Sequence, residues 1–182
     1  MKIRIAWIGK TKEPAIRALT EEYLKRISHY VETQGIELRD EPALLAMCGR
    51  QVPGKGGKSK ADGKSTLALL DSRGKEFSSE QFAAFLGNYQ ERNPLPLVFF
   101  VGPADGFSET TKTAAQHSIS LGKMTLPHEL ARVVLLEQIY RALTILKGHP
   151  YHTGHSRGGS ISAGHKEHEV TRRKLPTNKS PS

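Results

Sequence analysis

Hydrophobic and polar positions follow a repeating order along this chain. Lys2–Ile8 interleaves charged with apolar residues and reads as a first strand, closed by Gly9. Glu13-Pro14 opens a helix, because proline suits the first turn. Ile16, Leu19, Tyr23, Ile27 and Tyr30 then recur at helical spacing. Gly35 is expected to stop that helix, with a short second strand at 36–39. The stretch 49–64 has no period and many breakers, so it reads as a loop. Residues 66–70 form a continuous apolar strand ending at Asp71, with a turn at Arg73-Gly74. Ser78 and Gln81 have capping-box spacing, ahead of the stripe Phe82, Phe85, Leu86 and Tyr89.

A second apolar strand, Leu97–Val101, runs into Gly102-Pro103-Ala104-Asp105-Gly106. Ser108 is placed to cap another helix, a short strand is expected at 119–121, and a long helix begins after Pro127. Strands alternating with helices predict an α/β fold: a mostly parallel sheet with helices on both faces. The long helix is apolar almost all round, which is the signature of burial. It nevertheless keeps Glu137 and Arg141 one turn apart, and buried charges need partners or a task. Beyond it lie Gly148, Pro150 and the pair Tyr151-His152.

Charge changes the picture at two places. Of the net +9, residues 49–64 hold +4, through Arg50, Lys55, Lys58, Lys60 and Lys64 against Asp62. Residues 154–182 hold another +4, through Arg157, Lys166, Arg172, Arg173, Lys174 and Lys179 against Glu167 and Glu169. The rest is nearly neutral. The chain therefore reads as one domain over 1–153 containing a basic Gly/Lys loop at 49–64, followed by a basic, disordered tail at 154–182. Such segments attract a polyanion without specifying it, or simply confer solubility. No stretch approaches the roughly 20 apolar residues of a membrane span. The single Cys48 fits a reducing cytosol and is read as a small apolar filler.

Ligands of open parallel sheets bind beyond the carboxyl ends of the strands. Three such ends are recognisable, at Leu70-Asp71, Val101-Gly102 and Leu121-Gly122. Their small and breaker residues let main-chain groups approach an adenosine-like ligand. Glu137 and Arg141 are, on spacing alone, either a structural pair, a subunit contact or site residues. Zinc ligation by His149, His152, His155, His165 and His168 lacks cysteines and carboxylates at ligand spacing, so no metal is expected. Gly54-Lys-Gly-Gly-Lys-Ser59 lacks the spacing of a phosphate-binding loop.

Several stretches follow one family in order: 1–10, Glu22-Tyr23-Leu24-Lys25-Arg26, Leu70-Asp71-Ser72-Arg73-Gly74-Lys75 and Ser78-Ser79-Glu80. They continue with Val101-Gly102-x-x-x-Gly106, Met124-Thr125-x-Pro127-His128, Leu136-Glu137-Gln138-x-Tyr140-Arg141-Ala142 and Gly148-His149-Pro150-Tyr151-His152. Over about 1–153 the chain resembles the ribosomal RNA large-subunit methyltransferase H family, of the SPOUT class. The resemblance implies a C-terminal trefoil knot and a cytoplasmic homodimer. It further implies methyl transfer from S-adenosylmethionine to N3 of a pseudouridine in 23S rRNA on the assembled ribosome.

The family's cofactor contacts map onto Leu70, Gly102, Pro103, Gly122, Lys123, Met124, Thr125, Leu126 and Pro127. His152 is expected as the base or base-positioning group, with Tyr151 beside it, Arg141 on the developing anion and Glu137 orienting Arg141. Two departures stand out. Pro103, which has no N–H, replaces a usual glycine. The helix usual between the second strand and the Leu-Asp strand is expected to be replaced by the 49–64 loop. Two rival readings are a cofactor-deficient ribosome-binding protein, with Pro103 as its sign, and a SPOUT enzyme acting on tRNA. The absence of an appended RNA-binding domain argues against the second.

Overall fold

The computed structural model describes residues 1–50, 64–103, 105–149 and 151. Ten elements follow in order: β1 Lys2–Ile8, α1 Pro14–Ser28, β2 Glu32–Leu38, α2 Glu41–Met47 and β3 Thr66–Glu76. After them come α3 Ser79–Arg92, β4 Leu97–Val101, α4 Glu109–Ala114, β5 His117–Ser120 and α5 His128–Leu146. The strands form one sheet in the order β2-β1-β4-β3-β5, and every pair is parallel. The α/β expectation, with helices on both faces, holds.

Period-two alternation divides the core. Ile3, Ile5 and Trp7 of β1, with Leu97, Phe99 and Val101 of β4, face α1, α3 and α5. Ala6, Leu67, Leu69, Val98 and Phe100 face the other way, against Leu44 and Cys48 near α2 and Phe107 ahead of α4. Val133, Leu135, Leu136, Ile139, Ala142 and Leu143 make α5 the spine of the first layer, packed against both α1 and α3. Burial of each large aliphatic chain contributes roughly 1.5–3 kcal/mol. Cys48 is buried, and desolvation pushes its thiol up to about 11, as befits a filler.

Four expectations need correction. First, α1 ends at Ser28, short of Tyr30, and Leu19 is 44% exposed. Gly35 terminates nothing. It lies inside β2, where a Cβ would sit 2.7 Å from Leu24 Cδ1 and 2.9 Å from Trp7 Cη2, so any side chain there would have to displace both. Second, β2 begins at Glu32 as a polar edge strand paired with β1 alone, which hides it from any hydrophobic pattern. Third, the interval between β2 and β3 does contain a helix, α2. Asp40 Oδ1 accepts from Ala43 N–H at 2.9 Å, Pro42 sits in its first turn, and Leu44 and Leu45 are buried. At seven residues it is too short to display a period. Fourth, β3 does not end at Leu70. It leaves the β5 ladder there, and Lys75 and Glu76 rejoin it. The Ser78–Gln81 capping box and the Ser108 cap are both present.

Candidate active site

The sheet register brings the three predicted strand ends together. Leu70 pairs with Val101 on one side and Ile119 on the other, so Asp71, Gly102 and the residues after Ser120 leave the same edge side by side. Each exit has its own local cause. Asp71 Oδ1 accepts from Arg73 N–H at 2.9 Å, closing a turn on itself. At Gly102 an added Cβ would lie 2.3 Å from Phe107 Cε1, so the chain can pass the Phe107 ring only as glycine. The Pro103 carbonyl accepts from Gly106 N–H at 3.1 Å, which makes the proline a turn-former.

Gly122 follows at a φ of +129°, and Ser120 Oγ is hydrogen-bonded to both its N–H and its carbonyl. Lys123, Met124, Thr125 and Pro127 are exposed, Met124 at 85%. The main-chain N–H groups of Lys123, Met124, Thr125 and Leu126 have no hydrogen-bond partner among the described residues. A ligand held by main-chain hydrogen bonds needs such groups. A cleft of about 210 Å³ opens beside this loop, lined by Ser120, Leu121, Gly122, Phe77, Leu135 and Gln138 among others. Of the predicted cofactor residues only Gly122 lines it.

About three turns along α5, the predicted polar residues meet. Glu137 Oε1 accepts from Arg141 Nε at 3.0 Å and from Arg141 Nη2 at 2.5 Å. Tyr151 O–H reaches the same oxygen at 3.4 Å, and Gln138 Nε2 donates to Oε2 at 2.6 Å. The Arg141 guanidinium carbon lies 5.2 Å from the centre of the Tyr151 ring. The hydrogen bonds Arg141 donates to Glu137 raise the Arg141 pKa, so the cation is locked in place. Burial, with the nearby Tyr23 and Glu137, raises the Tyr151 phenol and keeps it protonated. Glu137, Arg141 and Tyr151 therefore form one cluster. His152 lies outside the described residues, as do the 51–63 part of the basic loop and the 154–182 tail.

A family model described as "Predicted SPOUT methyltransferase" matches residues 1–152. The Ribosomal RNA large subunit methyltransferase H of Koribacter versatilis (strain Ellin345) is 53% identical over 155 residues, spanning 85% of this chain and 100% of its own. The chain belongs to this SPOUT methyltransferase family. The protein of the same description from Geotalea daltonii is 38% identical over 152 residues, covering 84% of this chain and 99% of the relative. Among solved structures, a probable methylase family protein from Haemophilus influenzae Rd KW20 superposes with a TM-score of 0.49 at 10% identity. It covers 82% of this chain and 69% of that one.

This SPOUT family chain surrounds the Glu137–Arg141–Tyr151 cluster with aromatic residues to which the sequence analysis assigned no site role. Tyr140 stands edge-on to Tyr151 at 4.9 Å, to Tyr30 at 6.0 Å and tilted to Tyr23 at 6.2 Å. Arg26, bonded to Glu22 at 2.7 Å, lies over the Tyr23 and Tyr140 rings. The available signal was Tyr23 and Arg26 at i, i+3 on α1, next to the Tyr140-Arg141 pair on α5. Helical spacing of that kind normally marks packing, and nothing in one chain says that two such faces meet. Among the described residues no three His, Cys, Asp or Glu side chains converge as metal ligands.

Proposed function

We propose that this protein transfers a methyl group from S-adenosylmethionine to N3 of a pseudouridine in 23S rRNA of the assembled ribosome, in the cytoplasm and as a knotted homodimer. The reading is carried by the 53% identity to a Ribosomal RNA large subunit methyltransferase H across that relative's whole length. The Glu137–Arg141–Tyr151 cluster supports it, as do the three strand ends at one sheet edge. Leu19 on α1 and Leu130 on α5, exposed at 44% and 41%, favour an interface on that layer. No described helix is long and apolar enough to cross a membrane.

The loops offer main-chain N–H groups of the kind such a cofactor needs. Leu70, Gly102, Pro103, Gly122, Lys123, Met124, Thr125, Leu126 and Pro127 would hold it, chiefly through main-chain groups, and Pro103 would contribute shape or its carbonyl. When bound, S-adenosylmethionine supplies an electrophilic methyl group. The chain must do the rest: seat the uracil ring, remove the N3 proton and stabilise the imide anion that results. Arg141, held by Glu137, presents a fixed cation to that anion. Tyr151 offers a ring face for the base. His152 is the proposed proton acceptor, with a side chain whose ordinary pKa suits neutral pH.

Labelled cofactor with undermodified ribosomes tests the whole reading, with free rRNA and tRNA as controls. Label should enter ribosomes alone. Arg141→Ala should lower kcat by about 10²-fold while leaving the heat of cofactor binding unchanged. Wild-type turnover in both Arg141→Ala and His152→Ala would rule out the residue assignment. Absence of any heat on cofactor titration would instead leave a ribosome-binding protein, and label on tRNA would move the substrate.

A further inference from the structure

The turn that ends α5 contains a side-chain contact to a distant part of the chain. Gly148 has φ +66°, its N–H donates to the Ile145 carbonyl at 3.0 Å, and His149 N–H reaches back to the Thr144 carbonyl at 2.9 Å. This paired pattern around a left-handed glycine reverses the chain at the helix end. The reversal carries His149 to the turn after α1, where Tyr30 O–H meets His149 Nδ1 at 2.8 Å with the rings edge-on at 5.7 Å. Tyr30 is 119 residues away in sequence. It also touches the Tyr140 ring, and Tyr140 in turn touches Tyr151.

We propose that Tyr30 is a positioning residue: through His149 it anchors the turn after α5 and so holds Tyr151 against Glu137 and Arg141. The inference rests on the methyltransferase reading only for its catalytic consequence. The Schellman-type turn fixes the backbone as far as His149. Tyr151 is held by its contacts with Glu137, Arg141 and Tyr140, and the Tyr30–His149 bond closes the loop from outside. Burial raises the Tyr30 phenol above its ordinary value, so Tyr30 keeps its proton, and the His149 tautomer sets which partner donates.

The contact has a cost that a purely decorative one would not justify. Ordering Tyr30, His149 and Tyr151 together freezes three side chains on a half-exposed surface. A site whose geometry must hold within a fraction of an ångström gains from that ordering, since a 1 Å displacement can cost about 10²-fold in rate. Tyr30→Phe removes the hydrogen bond and keeps the ring.

The test uses the full-length protein, with imidazole ¹⁵N and tyrosine ring NMR on the free form and methyl transfer to undermodified ribosomes. In Tyr30→Phe the His149 Nδ1 resonance should shift and the Tyr151 ring signals should move away from their ring-shifted positions. Its kcat should fall about tenfold with cofactor affinity within twofold, and Tm should change by under about 4 °C. His149→Ala should reproduce the Tyr151 shift, and the double variant should be no worse than the worse single one. Unmoved Tyr151 signals in both single variants overturn the inference, whatever the activity does. If the wild type methylates nothing, the functional reading fails, and the NMR comparison still decides the anchoring role.

Discussion

Arg132 is 1% exposed, and its surroundings explain how α5 is tied to the first loop. Its Nη2 donates to Thr11 Oγ1 at 2.8 Å, and its guanidinium carbon sits 4.3 Å from the centre of the Trp7 ring. Its Nε has no hydrogen-bond partner among the described residues, and desolvation lowers its pKa. Glu37 and Glu129 offset part of that burial cost from either side. Thr11 is held in turn, its carbonyl accepting from Arg17 at 3.0 Å, while Lys12 N–H donates to Glu129 at 3.1 Å. Arg132→Ala removes a packed stem, a cation–π contact and a buried hydrogen bond together. It should destabilise the fold by about 3–5 kcal/mol, read from the urea midpoint at constant m-value. A change below about 1 kcal/mol would mean that the site collapses around the loss. Arg132 was not legible in the sequence, because an arginine one turn into a helix ordinarily faces solvent. Glu137 and Arg141 were legible as a pair by spacing, but the role proposed for them came only from the motif around them.

At the scale of elements, legibility followed length and apolar content. β1, β4, α3 and α5 announce themselves because each buries a continuous or periodic apolar set, and their bounds fall where the punctuation says. β2 and α2 do not. The first is a polar edge strand, and the second is seven residues long and owes its existence to capping and contact. Asp40 caps it, and Glu41 accepts hydrogen bonds from Ser108 and Thr111 at the head of α4, which joins the two helices of the smaller layer. Asp40→Ala should therefore cost about 1 kcal/mol, measured by chemical denaturation, and Asp40→Asn or Asp40→Ser should recover most of it. Equal loss in all three variants would show that the carboxylate matters beyond the cap. The three strand ends were predicted singly. Their adjacency needed the order β4-β3-β5, which no local pattern encodes.

For the molecule as a whole, one titratable group ties stability to pH inside the near-neutral range. His117 opens β5, with its ring edge-on to Phe85 at 5.1 Å, and desolvation lowers its pKa. Its neighbours along the same groove include Asp71, Arg73, Glu109 and Lys112, with Lys112 bonded to Glu109 at 2.6 Å. The unfolded chain holds the His117 proton up to about pH 6.5, whereas the folded chain releases it at lower pH. Below that value the unfolded state binds more protons, so stability falls as pH drops from about 6.5 through the depressed folded value. The wild-type minus His117→Phe difference in unfolding free energy should thus shrink over that window and be flat above pH 7. A flat difference throughout would mean that the ring is as well hydrated as a free one. The acid-sensitive point lies at the start of β5, an edge strand whose far end leads into a proposed cofactor loop.

That edge depends on an atom that is absent. A Cβ at Gly74 would lie 2.5 Å from the Ile119 backbone nitrogen and 2.6 Å from the Ser118 carbonyl carbon. β3 can step out of its ladder after Leu70 and return at Lys75 only because that side chain is missing. For anyone redesigning this scaffold to accept a different methyl donor, the excursion is a detachable cassette. Ser72 and Arg73 form its tip, while Gly74 is the hinge pin that has to stay.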